Sequence, residues 1–224
     1  MDQLLSRRSL LALGCTLPLL ALPACNSLPG FGMVDAIRRL LTISSQRAFA
    51  GLLQDNGFFQ DEVARIPLPP ELQRAGGIAS ALLGTGIVQN QLLQLMNRAA
   101  ANAADVAAPI VYDQIRSMSF GDAVSLVRGG PTAATDFLER AMGNAIVDAM
   151  LPGVGNALRS LDNGVLNQVL RAATGVNFMG IQRHVTESAS RGIYRAIGRE
   201  EAAIRANPRA TNDPVLMGVF GVLG

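Results

Sequence analysis

Apolar residues at Val34, Ile37, Leu41, Ala48 and Leu52 recur at multiples of three and four, which predicts an amphipathic helix from about Met33 to Leu53, ended by Gly57. Three prolines in Ile66-Pro67-Leu68-Pro69-Pro70 forbid a helix interior, so Phe58 to Pro70 reads as an extended connector. A long seam follows through Val88, Leu92, Leu95, Ala99, Ala103, Val106 and Ile110. Its alanines would let a neighbouring helix approach closely, and Pro109 should kink or restart it. Ser119-Phe120-Gly121-Asp122 resembles a cap opening a short helix. Gly129-Gly130-Pro131 should close that helix and start the next with proline at its first position. Ala134, Phe137, Leu138, Ala141, Ala145 and Ala149 then form a stripe that stops at Pro152-Gly153. A shorter helix through Val154, Leu158 and Leu161 meets a turn at Asp162-Asn163-Gly164, and another covers about Val165 to Ala173. Asn177 to Ala206 is the last long helix, ended by Asn207-Pro208, and the apolar tail Val215 to Leu223 should dock on the rest. No alternating run argues for a strand. The expectation is an all-α fold, a single irregular bundle of about six to eight helices.

The first twenty-five residues depart from this amphipathic pattern. Ser6-Arg7-Arg8-Ser9-Leu10-Leu11 sets a twin arginine before an apolar run that closes on Leu22-Pro23-Ala24-Cys25. Interrupted by Gly14, Thr16, Pro18 and Pro23, that run is too short for a spanning helix and has the layout of a cleaved export signal ending in a lipobox. The twin-arginine route is favoured over general secretion. Residues 1–24 are then the signal, residues 25–32 a tether acylated at Cys25, and residues 33–224 the helical domain. Asn26 after the cysteine gives no inner-membrane retention signal, so the expected address is the periplasmic face of the outer membrane. Several acyl chains make a lasting anchor where one would be marginal. A seven-residue tether at about 3.5 Å per residue reaches roughly 25 Å, which keeps the domain and its partners close to lipid.

Composition removes several chemistries. Removing 24 of 224 residues leaves 200, enough for one domain with a substantial core. Both cysteines lie in the signal or at the anchor, so the mature domain has no disulfide or thiolate nucleophile. All 19 basic residues are arginine, which excludes Schiff-base lysine chemistry and a P-loop lysine. The net charge of +2 gives no footprint for nucleic acid. One histidine, His184, cannot build a histidine metal cluster, and no cofactor or metal motif occurs; Gly84-Thr85-Gly86 lacks the context of a dinucleotide loop. His184 itself reads as a structural residue. On the last helix Arg183, Glu187, Arg191, Arg195 and Arg199 recur every four residues, with Glu187–Arg191 and Glu201–Arg205 spaced to pair. That ridge is a solvated, salt-bridged face, and the functional alternative is that Arg191, Arg195 and Arg199 contact an anionic surface.

A longer series carries a resemblance: Gly57-Phe58, Val63 to Pro69, Met96-Asn97-Arg98-Ala99-Ala100, Met118-Ser119, Asp122-Ala123, Gly129-Gly130, Ala134 to Phe137, Val185-Thr186-Glu187, Glu201, Ile204-Arg205, Asn207-Pro208 and Val219-Phe220-Gly221. In this order it resembles a proteobacterial family of exported all-helical proteins that constitutes a domain of unknown function. The resemblance implies the fold class and an envelope location, and no activity. Ala101 and Arg191 replace acids usual in that family, and His184 replaces an aromatic. The polar residues that fit are Asn97, Arg98, Asp122, Thr135, Thr186, Glu187, Glu201, Arg205 and Asn207. Their first reading is caps and ion pairs that hold the bundle; the sharper one is a shared polar site of Asn97, Arg98 and Asp122 against Glu201 and Arg205. The leading functional expectation is a non-catalytic envelope lipoprotein that binds a lipid, another apolar ligand or a partner protein. A hydrolase or transferase using Asp122, Glu187 or Glu201 would need those carboxylates to converge in a pocket, and a structural scaffold would show an exposed apolar patch instead.

Overall fold

A computed structural model describes residues 29–121, 123–162 and 164–221, with side-chain environments from residue 32 onward. The signal, Cys25, Asp122 and the last three residues of the chain lie outside them. Four long helices build the centre: α1 (Pro29–Leu52), α5 (Ile87–Ser117), α8 (Ala145–Leu161) and α10 (Phe178–Ala206). Helix α5 packs on α8 and α1, and α10 packs on α1, α8 and α5. Short helices fill the periphery: α2 (Gly57–Gln60), α3 (Pro70–Gln73), α4 (Gly77–Gly84), α6 (Ala123–Arg128), α7 (Ala133–Met142), α9 (Val165–Ala172) and α11 (Pro214–Phe220), the last preceded by a 3-10 turn at Pro208–Thr211. The described residues contain no strand, so the all-α expectation holds.

The alanine seam does what its composition suggested. Ala99, Ala103, Ala104 and Ala107 are fully buried. A Cβ placed on Gly153 of α8 would come within 3.5 Å of the Ala103 Cβ, so two small residues bring α5 and α8 together. Val106 is half exposed and does not belong to the seam. Neither interior proline interrupts its helix: α5 runs through Pro109 and α8 through Pro152. Each proline removes the bond to the carbonyl four residues back, here Asp105 and Asp148. Both aspartates and both prolines are exposed, so water can satisfy the freed carbonyls.

Other boundaries moved. The expected stripe from Ala134 to Ala149 is two helices, broken where Gly143 takes φ +51. That corner rotates the buried face onto Leu138, Met142, Ile146 and Met150, while Ala141 and Ala145 are exposed. Helix α7 starts at Ala133, after Pro131, and α1 starts at Pro29, taking the final four residues of the expected tether. Gly57, expected to end α1, instead opens α2, which runs to Gln60 into what was expected to be an extended connector from Phe58. The apolar tail docks as expected: Asp213 caps α11 by accepting from the Val215 and Leu216 amides at 2.9 and 3.1 Å, and Leu216 is fully buried.

The connector is held against α10 at very short range. A Cβ on Gly192 would sit 2.9 Å from the Ala64 carbonyl oxygen and 3.0 Å from its Cα. Gly192→Val should therefore cost about 1–3 kcal/mol by overpacking against backbone, read as a lower midpoint in urea. An unchanged midpoint would show that the connector yields.

Candidate functional site

Two features of α10 could carry function, and the first proves to be a helix lock. Glu201 has no exposed surface. Its carboxylate accepts from the Ala134 amide at 3.0 Å, the Thr135 amide at 2.7 Å and the Thr135 hydroxyl at 2.6 Å, so it caps the N-terminus of α7 from another helix. One turn later Arg205 donates to Glu201 at 2.8 Å and to the Val127 and Leu126 carbonyls at 3.0 and 2.9 Å, at the C-terminal end of α6. Each charge meets the helix end of opposite polarity, and the pair ties α6, α7 and α10 together. The Arg205 guanidinium also lies 4.8 Å from the Phe220 ring centroid of α11. Glu201, Thr135 and Arg205 thus answer the expectation of caps and ion pairs. They also explain why α7 starts late: its first free amides are met by a carboxylate that the local sequence does not contain.

Asn97 is engaged elsewhere. Almost fully buried on α5, it accepts from the Ile66 amide at 2.9 Å and donates to the carbonyls of Ile66 at 3.1 Å and Leu93 at 2.8 Å. It pins the proline connector, as Glu201 pins α7. Arg98 is exposed beside an open groove of about 850 Å³ that also involves Asp55, Gln94, Asn102 and Asp105. Thr186 bonds back to the Gln182 carbonyl at 2.8 Å, and Asn207 caps α10 with its amide on the Ala203 carbonyl at 3.0 Å. The proposed sharing of one site by Asn97, Arg98, Glu201 and Arg205 does not occur, because Asn97 and the Glu201–Arg205 pair bond to different backbone segments. Asp122, the remaining member, lies outside the described residues.

The arginine ridge is also divided. Arg199 makes a bidentate pair with Asp61, at 3.0 and 2.8 Å, fastening the connector to α10 from its outer side. Arg191 donates to the Ser188 hydroxyl at 3.0 Å in place of the expected pair with Glu187, and Arg195 is exposed. His184 lies 2.9 Å from the Pro67 carbonyl oxygen, a structural contact in keeping with its expected role. Burial pushes the Asp61 carboxyl upward, but Arg199 and the Val63 and Ala64 amides outweigh that and hold it below the usual aspartate range. A depressed folded-state value means stability that is present above the unfolded-state value near 3.8 and is lost as pH falls through the folded one. Asp61→Asn should therefore flatten the fall in stability below about pH 4, measured by urea unfolding at a series of pH values. Parallel pH profiles for the two proteins would contradict this.

The second feature is a groove of about 450 Å³ between α10 and the α7–α8 corner. From α10 it takes Arg183, Glu187, Ser190, Arg191 and Tyr194, spaced four, three, one and three apart so that they share one face. From the corner come Glu139 on the last turn of α7, Gly143 and Asn144 in the turn, and Asp148 on the first turn of α8. Gly143 shapes it, since its positive φ turns the chain between the helices. Tyr194 is 4% exposed, and its hydroxyl has no hydrogen-bond partner in the structure. Burial, reinforced by the Glu139 carboxylate, pushes that hydroxyl well above the ordinary tyrosine range, so it stays protonated. The sequence singled out Glu187 as a polar-site candidate and Arg191 as an anionic-surface contact, without Tyr194, Glu139 or Asp148. A signal was present: one of only two tyrosines in the chain falls on the face already marked by Arg183, Glu187 and Arg191.

Among the described residues no group of three or more histidine, cysteine or acidic side chains is arranged to hold a metal ion, and no helix is long and apolar enough to cross a membrane. No curated protein and no solved structure matches the chain significantly. A family model does, from residue 28 to residue 221, which takes in every element from α1 to α11, the helix lock and the Tyr194 groove. The chain therefore belongs to the protein family of unknown function DUF4197.

Proposed function

We propose that this protein is a non-catalytic binding module of the cell envelope, exported by a twin-arginine signal and held at the periplasmic face of the outer membrane by acyl chains on Cys25. The address and the anchor rest on Ser6 to Leu11 and Leu22 to Cys25. The binding role rests on one observation: a groove of about 450 Å³ at the junction of three helices gathers Arg183, Arg191, Glu139, Asp148 and Glu187. The mixed charges of the lining suit a polar ligand better than an apolar one. Of the three carboxylates named for a hydrolase, Asp122 lies outside the described residues and the other two are apart. Glu187 and Glu201 are 14 residues apart on one helix, about 21 Å at roughly 1.5 Å per residue, and Glu201 is sealed inside the helix lock.

Native mass spectrometry of the chain purified from its own envelope fraction tests the binding role. The wild type should carry a bound mass that Arg191→Gln loses, while the two proteins melt alike, because Arg191 lines the groove and is exposed. Absence of any bound mass from both proteins would sink the reading. Labelled palmitate should enter the wild type and not Cys25→Ala, and label-free protein in the cytosol would sink the anchor.

A further inference from the structure

One stretch of α5 differs from the other helix faces. Gln89, Asn90, Gln91, Gln94, Asn97 and Asn102 make six of the fourteen residues from 89 to 102 amides, and Arg98 is the only charge in that window. On other exposed faces charges pair along the helix, Asp113 with Arg116 further along α5 and Asp35 with Arg39 on α1. Here Gln91, Gln94, Arg98, Asn102 and Asp105 follow at steps of three and four, so they share one face. All five are exposed, and none of their side chains has a hydrogen-bond or ion-pair partner among the described residues.

That face lines a concavity. The open groove of about 850 Å³ lies along it, and a smaller hollow of about 80 Å³ beside Leu161 shares Gln94 and Arg98 with it. From Gln91 to Asp105 is 14 residues of helix, about 21 Å at roughly 1.5 Å per residue, so the ligand it suits is a chain. The facing wall is the turn after α1, which brings Leu53, Gln54, Asp55 and Asn56. Asn56 takes φ +60 there, and a Cβ on Gly57 would overlap the Gly51 and Leu52 carbonyl oxygens, so the turn is folded hard against the end of α1. Asn97, also in the lining, is taken up by Ile66 and Leu93 and fixes α5 from beneath.

The side chains of this groove select a chemistry. Uncharged amides donate and accept at once, which matches hydroxyl groups and secondary amides. One guanidinium beside Asp55 and Asp105 disfavours an anion, and an apolar ligand would strip water from the amides without replacing its bonds. Leu53, 38% exposed beside Gln54 and Asn56, is the one large apolar side chain of the main groove. A methyl group next to an amide, as in the acetamido substituent of a sugar, fits that pairing. We infer that the α5 groove binds a neutral glycan strand containing N-acetylated hexose, with hydroxyl groups on Gln94, Arg98, Asn102 and Asp105 and the acetyl methyl on Leu53. The site shares no residue with the α7–α8–α10 groove, and neither reading depends on the other.

Calorimetric titration of the chain, in micelles of a detergent without sugar groups, tests it with four probes. Tetra-N-acetylchitotetraose carries the acetamido groups and cellotetraose has the same linkage without them; tetragalacturonate is an anionic glycan and tetraalanine a peptide. The acetylated glycan should bind with one-to-one stoichiometry and at least about tenfold more tightly than each of the others. Arg98→Ala should weaken that binding by about tenfold, the scale of a hydrogen bond to a charged group, and Leu53→Ser should narrow the lead over cellotetraose. Both side chains are exposed, so melting should stay close to wild type. Arg191→Gln, in the other groove, should bind the glycan as the wild type does. No binding of either neutral glycan, equal binding by Arg98→Ala, or tighter binding of tetraalanine or tetragalacturonate would overturn the inference. Equal affinity for the two neutral glycans would overturn its assignment to N-acetylated sugar.

Discussion

Glu201→Ala should destabilise the domain by about 3–5 kcal/mol, the usual cost of removing one partner from a buried ion pair. Three losses combine. Arg205, whose side chain is 11% exposed, keeps its charge without its carboxylate. The amides of Ala134 and Thr135 lose their acceptor in a buried place, and so does the Thr135 hydroxyl. For a chain of this size the loss corresponds to a fall in Tm of about 6–20 °C, at roughly 2–4 °C per kcal/mol. Arg205→Met should cost less, because the methionine stem can still pack near Phe220 and the Glu201 carboxylate keeps its three bonds to α7. The double variant should be more stable than the sum of the single losses predicts, since no lone charge is left inside. A drop below about 1 kcal/mol for Glu201→Ala would mean that water reaches the site and that the helix lock is not what holds α7.

The second large effect is expected at Asn97. Asn97→Leu should cost about 2–4 kcal/mol, because the Ile66 amide and carbonyl then lie buried without partners. The change is local. Hydrogen exchange at the Ile66 amide should accelerate strongly and the contacts of the connector with α10 should loosen, among them Asp61–Arg199 and Pro67–His184. Exchange in α7 should change only as far as global stability does. Glu201→Ala has the opposite signature, with α7 exposed first. Unchanged protection at Ile66 would show that the connector is held by packing of Ile66 and Leu68 alone.

Why some elements were legible and others were not follows from the range of the forces that set them. Helix α10 could be read to within a residue because its start is local: Asn177 accepts from the Gly180 amide at 2.8 Å, and Asn207-Pro208 stops it. The same holds for α9, which follows the Asp162 turn, whereas the tail from Val215 was expected only to dock, and the Asp213 cap that starts α11 at Pro214 was not foreseen. The boundary between α7 and α8 was missed because alanine fits both a buried stripe and an exposed face. Only the corner at Gly143 decides which alanines are inside. The prolines misled for a different reason. Whether a missing amide breaks a helix depends on whether the stranded carbonyl is wet, and Asp105 and Asp148 are exposed only because of how α5 and α8 lie in the bundle. Among the polar residues, the types were informative but the partners were not. Glu201 and Arg205 have the spacing of an exposed i,i+4 pair, yet both bond across to α6 and α7.

By itself, the amino-acid sequence determined the all-α class, the long helices, the lack of lysine, of a histidine cluster and of any cysteine beyond residue 25, and the family. These follow from periodicity, composition and residue order, which are properties of the chain before it folds. Only the tertiary structure decided what the polar residues do. It separated Asn97 from Glu201 by giving each a different backbone segment to hold. It turned a four-residue spacing into a two-helix lock, and it left Tyr194 buried beside charges of both signs with nothing to bond. The physical reason is that the cost of burying a charge or a hydroxyl depends on the atoms brought around it by distant parts of the chain.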